Sequence, residues 1–262
     1  MKINLSAKKA FVCGSSQGIG RAAAVEFADG GATVVLLARS EDGLQDVREQ
    51  LSTRAGQKHD FIAVDFSEPE MLQERVTAYL AGSSPIHILV NNTGGPPAGL
   101  ASEAGPDEFT AAFRNHLICN QIMTQAVVPG MKAEKYGRII NIISTSVKQP
   151  IPGLGVSNTI RGAVASWAKT LASELGPFGI TVNNVLPGAT DTARLTALIK
   201  KKAEQSGSTV EDVARDMKTA IPARRFAKPE ELAYAIAFLA SPVAGYINGI
   251  NLPVDGGRTA CL

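Results

Sequence analysis

A short glycine-rich segment near the start of the chain has the composition of a phosphate-binding turn. It reads Gly14-Ser15-Ser16-Gln17-Gly18-Ile19-Gly20 and lies between a β-branched run, KKAFVC, and a helical pattern, RAAAVEFADG. Glycine lets the chain turn tightly and approach an anion without a Cβ in the way, and the N–H groups at a helix N-terminus attract phosphate. Because the segment joins a strand to a helix, it predicts a site for a dinucleotide pyrophosphate, although an ordinary glycine-rich turn has the same composition.

The next two apolar runs end in residues that could bind the rest of a dinucleotide. The run ATVVLLAR ends with Ala38 and Arg39. An acidic residue at this point binds ribose hydroxyls, whereas an arginine accommodates a 2′-phosphate, so the sequence favours NADP(H) over NAD(H). Asp65, followed by Phe66, ends the third run. Its carboxylate could accept from the adenine amino group or cap a helix.

These residues stand where short apolar runs give way to longer helical patterns. The same alternation continues to the end of ITVNNVLPG, with helical patterns over about 109–134 and 157–175. Uninterrupted apolar runs are typical of parallel strands that helices cover on both faces. We therefore predict one domain over residues 1–262, a doubly wound parallel α/β sheet of the Rossmann type, whose ligands bind beyond the carboxyl ends of the strands. Residues 94–107 and about 190–227 depart from the alternation, which predicts substrate loops or a lid.

The composition argues against several other classes of protein. With 45% hydrophobic and 19% charged residues the chain reads as globular, and a net charge of +2 does not predict a nucleic-acid partner. The sequence has no apolar run of membrane-spanning length and no secretory signal at its start, so we expect a cytoplasmic protein without a membrane partner. The three cysteines show no CxxC spacing, so neither disulfides nor a metal site is predicted.

Five segments in order resemble the short-chain dehydrogenases/reductases: CGSSQGIG, AVDF, LVNNTGG, GRIINIIS and NNVLPGATDT. The resemblance covers nearly the whole chain, including the closing NLPVDGG. Within that family the chain most resembles members of the type of the 3-oxoacyl-acyl-carrier-protein reductases. It implies an NADP(H)-dependent oxidoreductase that interconverts a carbonyl and an alcohol by hydride transfer. It also implies that two turns contact the ribose and the nicotinamide carboxamide of the cofactor. The residues of these turns are Asn92, Thr93, Gly94, Pro187, Gly188, Thr190 and Thr192.

The catalytic positions depart from the family pattern. Members of this family usually carry a serine, a tyrosine, a lysine four residues after the tyrosine, and an asparagine that holds a relay water. Ser144 matches the serine, but Ser157 and Arg161 stand where the tyrosine and lysine are expected. The asparagine position falls on His116, or on Asn115 if the register slips by one residue.

These replacements change the available acid–base chemistry. A serine hydroxyl is a much weaker acid than tyrosine, whose pKa of about 10 can fall beside a cation. Arg161 keeps a positive charge and could hold ribose hydroxyls or a phosphate, but arginine is a poor proton shuttle. His116, with an ordinary pKa of about 6.5, could replace the missing acid or could be structural.

Three readings follow. We favour an active NADP(H)-dependent enzyme in which Ser144 orients the substrate, while Ser157, His116 or a substrate group completes proton transfer. The alternative is a dinucleotide-binding sensor or assembly subunit that has lost redox chemistry. A similarity to halohydrin dehalogenases is the least favoured, because those proteins retain the tyrosine and lose the glycine-rich turn.

The sequence says less about substrate and assembly. An excess of basic residues after Gly188, Arg194 among them, would suit an acidic or acyl-carrier-linked substrate, but a solvated helix face is the more common explanation. Members of the family commonly assemble through the two long helices, so the resemblance implies a homo-oligomer, a tetramer or a dimer. The predicted partner is otherwise a small carbonyl or alcohol compound.

Overall fold

Strands and helices alternate along the chain, as the sequence predicts. The structure, a computed structural model, describes residues 3–261. Over that range the chain forms seven strands: β1 (Lys9–Cys13), β2 (Thr33–Ala38), β3 (Asp60–Ala63), β4 (Ile88–Asn91), β5 (Gly137–Ile142), β6 (Ile180–Pro187) and β7 (Asn251–Val254). The helices are α1 (Gly18–Asp29), α2 (Glu41–Gln50), α3 (Pro69–Ala81), α4 (Pro106–Phe113), α5 (Cys119–Ala133), α6 (Gly155–Leu175), α7 (Ala193–Ser206), α8 (Val210–Thr219) and α9 (Pro229–Ala240). None of these helices combines the length and apolar composition that a bilayer span requires.

The strands form one parallel sheet in the order β3-β2-β1-β4-β5-β6-β7. Strand order reverses between β1 and β4, so the chain winds outward in both directions from the middle of the sheet. Ligands of such folds bind at this reversal, beyond the carboxyl ends of the strands. The predicted single-domain, doubly wound α/β architecture is confirmed.

Apolar side chains cover both faces of the sheet, which explains why the strands read as continuous apolar runs. On one face α1 and α9 pack on the strands, with Phe27 and Ile236 fully buried. On the other face the core includes Phe11 of β1 and Leu89 of β4, packed with α3 and α5 through residues such as Met123. Burial of these side chains stabilises the fold by roughly 1.5–3 kcal/mol each.

The helical pattern predicted over about 109–134 contains an irregularity that the sequence does not reveal. Between α4 and α5 the backbone forms one π-helical turn, Arg114–Ile118. A π-turn inserts one residue into the α-helical repeat and rotates the following side chains relative to the preceding ones. The two possible positions of the family asparagine, Asn115 and His116, both lie on this turn.

The region 190–227 contains two helices, and its two ends are joined by an isolated parallel bridge between Thr190 and Ala227. Helix α7 buries Leu195, Ile199 and Ala203, whereas α8 has no buried residue. Helix α8 therefore has little packing to hold it in place, which is consistent with the substrate lid that the sequence predicts here.

Candidate active site

The glycine-rich turn has the shape that a pyrophosphate site needs. Gly14 and Gly18 have φ angles of +60° and +57°, a region that L side chains avoid. A Cβ on Gly14 would lie 2.5 Å from the Asn92 carbonyl oxygen, and one on Gly20 would lie 2.2 Å from the Gly14 carbonyl oxygen. The Gln17 side chain makes no capping hydrogen bond to α1, whose first turn contains no acidic residue. Backbone N–H groups at this helix start are therefore available to an anion.

The remaining residues of the turn pack against its surroundings. Ile19 is half-buried against the core, and Ser16 lies beside Gly43 of α2. Ser15, which the sequence did not single out, is fully buried, and its Oγ accepts from the Leu37 N–H at 3.0 Å. This hydrogen bond joins the turn to the end of β2, and no pattern in the sequence distinguishes Ser15 from Ser16.

Arg39 is exposed at the carboxyl end of β2, where the sequence predicts it. Its Nη1 lies 3.9 Å from Asp65 Oδ2, and 78% of its side chain is exposed. Asp65 Oδ1 accepts from the Ser67 N–H at 2.8 Å, while Glu68 is the N-cap residue of α3, so the helix-cap interpretation of Asp65 is wrong. Phe66 packs on the core that lies under α3 and α5. Since its pairing with Asp65 is weak and solvated, the Arg39 guanidinium remains accessible to a phosphate.

Two further turns meet the glycine-rich turn at the same edge of the sheet. Asn92 Nδ2 donates to the carbonyl oxygens of Cys13 and Gly14, both at 3.3 Å. Thr192 caps α7 by accepting from the Leu195 N–H at 3.4 Å, and its Cγ2 would lie 3.2 Å from a Cβ on Gly18. The structure thus brings together the three segments that the sequence assigned to the cofactor.

The other residues of the turns 92–94 and 187–192 differ in how tightly their surroundings hold them. Thr190 is buried and donates from Oγ1 to the Gly188 carbonyl at 3.2 Å. Gly188 follows Pro187 and packs tightly, because a Cβ on it would lie 2.6 Å from Asp255 Cα. Gly94 is exposed, with open space where a Cβ would be. The arrangement fits a dinucleotide. It combines the free amides at the start of α1 with the narrow, glycine-lined turn at Gly188 at the other end of the site.

His116 is the residue of the π-turn that lies inside the site. Its side chain is only 2% exposed, and its Nδ1 lies 2.6 Å from Thr93 Oγ1. Asn115 is half-buried and makes no side-chain hydrogen bond to the residues that the structure describes. Between the two alternatives that the sequence left open, the geometry favours His116.

Charge and burial keep His116 neutral. Burial lowers its pKa most, and the nearby Arg161 and Arg194 lower it further, to about 3. Arg161 on α6 is 8% exposed and donates from Nη1 to the Ile142 carbonyl at 3.0 Å, at the end of β5. Burial and repulsion from Arg194 lower the pKa of Arg161 to about 10, so its guanidinium stays charged at neutral pH.

The two candidate serines differ in their hydrogen bonds. Ser144 follows β5 and its Oγ accepts from the Ser146 N–H at 3.1 Å, which leaves its hydroxyl hydrogen available to a ligand. Ser157 is buried on α6, one turn before Arg161, and its hydroxyl has no hydrogen-bond partner among residues 3–261. Both hydroxyls can therefore donate to a substrate oxygen.

Arg194 belongs to the site, although the sequence grouped it with surface charges. It lies in the first turn of α7, and its guanidinium donates to the Gly95 carbonyl at 2.9 Å and to the Pro96 carbonyl at 3.4 Å. This places it beside the loop that carries Thr93. Its position just after the Thr190–Thr192 turn was the signal that could have identified it.

A row of asparagines below the site was also missed. Asn91, Asn141, Asn184 and Asn251 stand in register on β4, β5, β6 and β7. Asn91, Asn141 and Asn184 each donate through Nδ2 to the Oδ1 of the next asparagine, at 2.8–2.9 Å, and Asn251 ends the row as an acceptor. The row joins four strands beneath the helices that carry His116 and Arg161. An asparagine in or beside each of four apolar runs was the available signal, but strand register was needed to connect them.

The fold and these turns define a Rossmann-type dinucleotide-binding protein. The family model for enoyl-(acyl carrier protein) reductase matches residues 14–259, which is most of the chain. The chain therefore belongs to the short-chain dehydrogenase/reductase family, and the family prediction is confirmed.

Individual relatives are reductases of similar length. The 3-oxoacyl-[acyl-carrier-protein] reductase FabG of Vibrio cholerae is 34% identical over 255 residues, which cover 97% of this chain and 98% of that protein. The NADPH-dependent reductase BacG of Bacillus subtilis is 28% identical over 258 residues, or 97% and 98% of the two chains. The crystal structure of L-sorbose reductase from Gluconobacter frateurii, complexed with NADPH and L-sorbose, matches with a TM-score of 0.93 and 32% identity over the full length of both chains.

Proposed function

We propose that the protein is an NADP(H)-dependent oxidoreductase that interconverts a carbonyl and an alcohol by hydride transfer, with a proton-transfer group other than tyrosine. The observation that carries this proposal is the convergence of three segments, 14–20, 92–94 and 187–192, at the strand reversal. The reductase relatives, several of which use or bind NADPH, support the same cofactor.

Each part of the cofactor would have its own place. The N-terminus of α1 would hold the pyrophosphate, and Arg39 the 2′-phosphate. Residues 92–94 would contact the ribose, and residues 187–192 the carboxamide. When bound, the nicotinamide supplies or accepts the hydride.

The side chains near the end of β5 would manage charge on the substrate oxygen. Ser144 can donate a hydrogen bond to a carbonyl oxygen, because its own Oγ already accepts from Ser146. The buried Arg161 cation would stabilise negative charge that develops on that oxygen, an effect that is strong where water is excluded. These two groups orient and polarise the carbonyl.

Proton transfer would fall to Ser157 or His116. The Thr93 hydroxyl can donate to His116 Nδ1, in which case Nε2 carries the hydrogen and can donate it as a neutral imidazole. The Ser157 hydroxyl has no hydrogen-bond partner in the described part of the chain. It lies one turn from Arg161, whose charge favours loss of the hydroxyl proton. The two groups are therefore both candidates for the step that tyrosine serves elsewhere in the family.

A cofactor titration tests the first half of the proposal. We expect calorimetry to give tighter binding of NADPH than NADH, and Arg39→Ala to weaken NADPH binding about tenfold or more with little effect on NADH. Arg54→Ala is the matched control, since it removes an exposed arginine from the loop before β3, at the opposite edge of the sheet. Failure of the wild type to bind either nucleotide would overturn the proposal.

Turnover of a double variant tests the second half. We expect Ser157→Ala combined with His116→Gln to lower kcat about 100-fold or more, because general acid–base catalysis contributes on that order. NADPH affinity should be unchanged, which establishes that the variant is folded. Full turnover by the double variant would refute both assignments.

A dinucleotide-binding sensor or assembly subunit is the second candidate. The replacement of the family tyrosine and lysine by Ser157 and Arg161 favours it. Stoichiometric oxidation of bound NADPH by a carbonyl compound would count against it.

We also propose a homo-oligomer, a tetramer or a dimer, on the family resemblance. Ala165 and Ala168 of α6 are buried inside the chain itself, and Trp167 donates to Gln121 of α5 at 2.8 Å. These residues therefore serve the intramolecular core, and the support for assembly comes from the family alone. Light scattering at micromolar concentration gives the mass, and a monomer would overturn the proposal.

A further inference from the structure

Two arginines in the candidate active site have no acidic partner among residues 3–261. Arg161 is almost fully buried, and its guanidinium makes one hydrogen bond, to the Ile142 carbonyl. Arg194 donates to the carbonyls of Gly95 and Pro96. Within residues 3–261, no carboxylate forms an ion pair with either guanidinium. Each guanidinium carries five N–H donors, so both have donors left for a ligand.

The two arginines lie near the same part of the candidate active site. Arg194 is bonded to Gly95 and Pro96, in the loop whose Thr93 contacts His116. Arg161 is bonded to the end of β5, the strand that pairs with β4 just before that loop. In accord with this proximity, Arg194 lowers the pKa of Arg161, and both arginines lower the pKa of His116. They come from different elements, since Arg161 lies on α6 and Arg194 on α7. Arg161 is buried, whereas Arg194 is exposed at the edge of the site. Two positive charges brought together beside a buried site repel each other, and an anion normally compensates such charges.

The phosphates of the cofactor have other places to bind. The pyrophosphate fits the free amides at the start of α1, and Arg39 stands at the end of β2. Arg161 and Arg194 lie instead with His116 and Ser157, where the reacting carbonyl would be. The planar fork of a guanidinium matches a carboxylate in two parallel hydrogen bonds.

We propose that the substrate carries a carboxylate close to its reacting carbonyl group, and that Arg194, together with Arg161, binds that carboxylate. The inference rests on the proposed function, since it names the substrate class of the same site. Arg161 is fixed against the end of β5, whereas Arg194 joins α7 to the loop at Gly95 and Pro96. A bound carboxylate would therefore hold α7 and this loop together over the substrate.

Matched acids and esters test the proposal. We would measure NADPH oxidation with benzoylformate against its methyl ester, and with acetoacetate against its ethyl ester. We expect kcat/KM to be at least about tenfold higher for an acid than for its ester. Arg194→Gln should remove most of this preference by lowering kcat/KM for the acid about 10- to 100-fold, with less than about a threefold effect on the ester.

Lys201→Gln is the matched control. Lys201 also lies on α7 and donates to the same loop, at the Ala98 carbonyl, 3.3 Å away. Lys201 is not among the groups that lower the pKa of His116 or Arg161. We expect this variant to keep the acid preference, so a loss in Lys201→Gln equal to that in Arg194→Gln would mean that only loop tethering matters and would overturn the proposal.

A binding measurement separates this inference from the proposed function. Calorimetry of the complex with NADP⁺ should give benzoylformate binding that weakens at least about tenfold in Arg194→Gln. Such binding without NADPH oxidation would support the carboxylate site and count against the enzyme. Equal turnover of ester and acid would support the enzyme and overturn the carboxylate site. Weaker NADPH binding by Arg194→Gln, with unchanged acid binding, would show that Arg194 binds the cofactor. That result would also overturn the carboxylate site.

Discussion

The glycine-rich turn and the arginine-lined reaction site lie at the same edge of one sheet, yet they are built differently. The turn is made of backbone, and its glycines are required because a Cβ on Gly14 or Gly20 would overlap a carbonyl oxygen. The reaction site is made of side chains from separate elements: Thr93 after β4, His116 on the π-turn, Arg161 on α6 and Arg194 on α7. Local sterics determine the first region, whereas only the folded chain assembles the second.

The two regions also differ in electrostatics. Neutral amides dominate the turn, and Arg39, the cation predicted to bind the 2′-phosphate, is exposed and lies close to Asp65. The reaction site combines two arginines with a buried neutral histidine and has no acidic partner for either arginine among residues 3–261. The comparison predicts that backbone shape controls cofactor binding and that charge controls substrate binding.

The largest expected effect is that of Gly20→Ala on the turn. Its Cβ would lie 2.2 Å from the Gly14 carbonyl oxygen and 2.8 Å from Asn92 Nδ2, so the turn must shift. We expect NADPH affinity to fall about 100-fold or more and the free energy of unfolding to fall by about 1–3 kcal/mol. Calorimetric titration and urea unfolding measure the two quantities.

Gly82→Ala is the control for this variant. Gly82 follows α3 with a negative φ, and no atom lies within 4 Å of a Cβ built on it. We expect a change in unfolding free energy within about 0.5 kcal/mol and unchanged NADPH binding. Normal NADPH affinity in Gly20→Ala would show that the shape of the turn does not control cofactor binding.

The next effect, which falls on stability and not on cofactor affinity, concerns the asparagine row beneath the reaction site. Asn141→Ala would leave Asn91 Nδ2 without its acceptor and Asn184 Oδ1 without its donor, both in the buried core. We expect urea unfolding to give a loss of about 2–4 kcal/mol, since each unsatisfied buried group costs about 1–3 kcal/mol. Asn251→Ala removes the half-buried end of the row and leaves only the Asn184 Nδ2 without its acceptor. We therefore expect its loss of unfolding free energy to be about half as large. Equal losses would indicate that the row is not a connected support.

The smallest effect is a pH dependence that His116 confers. Its pKa is about 3 in the folded protein against an ordinary value of 6.5, so the unfolded chain takes up the proton first as the pH falls. Stability is therefore complete above about pH 6.5 and decreases toward pH 3, with a slope of at most about 1.4 kcal/mol per pH unit. Between pH 7 and 5 we expect the wild type to lose about 1–2 kcal/mol more unfolding free energy than His116→Gln.

Identical pH dependence of the two proteins would contradict this prediction. It would mean that His116 accepts a proton in the folded state near neutral pH. The imidazole would then be a cationic acid and not a neutral donor, and the electrostatic contrast between the two regions would be weaker. Urea unfolding of wild type and variant at each pH provides the measurement.

The signals by which the sequence predicts the cofactor half of the site are local. Glycines at a strand–helix junction, Arg39 at a strand end and the two later turns each depend on neighbours in the chain. Strand alternation similarly predicted the sheet, since buried parallel strands require continuous apolar runs. The role of Ser15 was missed because its partner, the Leu37 N–H, belongs to the adjacent strand.

The sequence alone determined the fold class and the family, and it predicts that Ser157 and Arg161 replace the family tyrosine and lysine. It could not decide between Asn115 and His116, because a π-turn changes the helical register without a mark in the sequence. Nor could it relate Arg194 to Arg161, or join Asn91 to Asn141, Asn184 and Asn251. Those relations connect residues about 30 to 70 positions apart, and the charge, burial and pKa of such groups depend on neighbours that only the tertiary structure supplies.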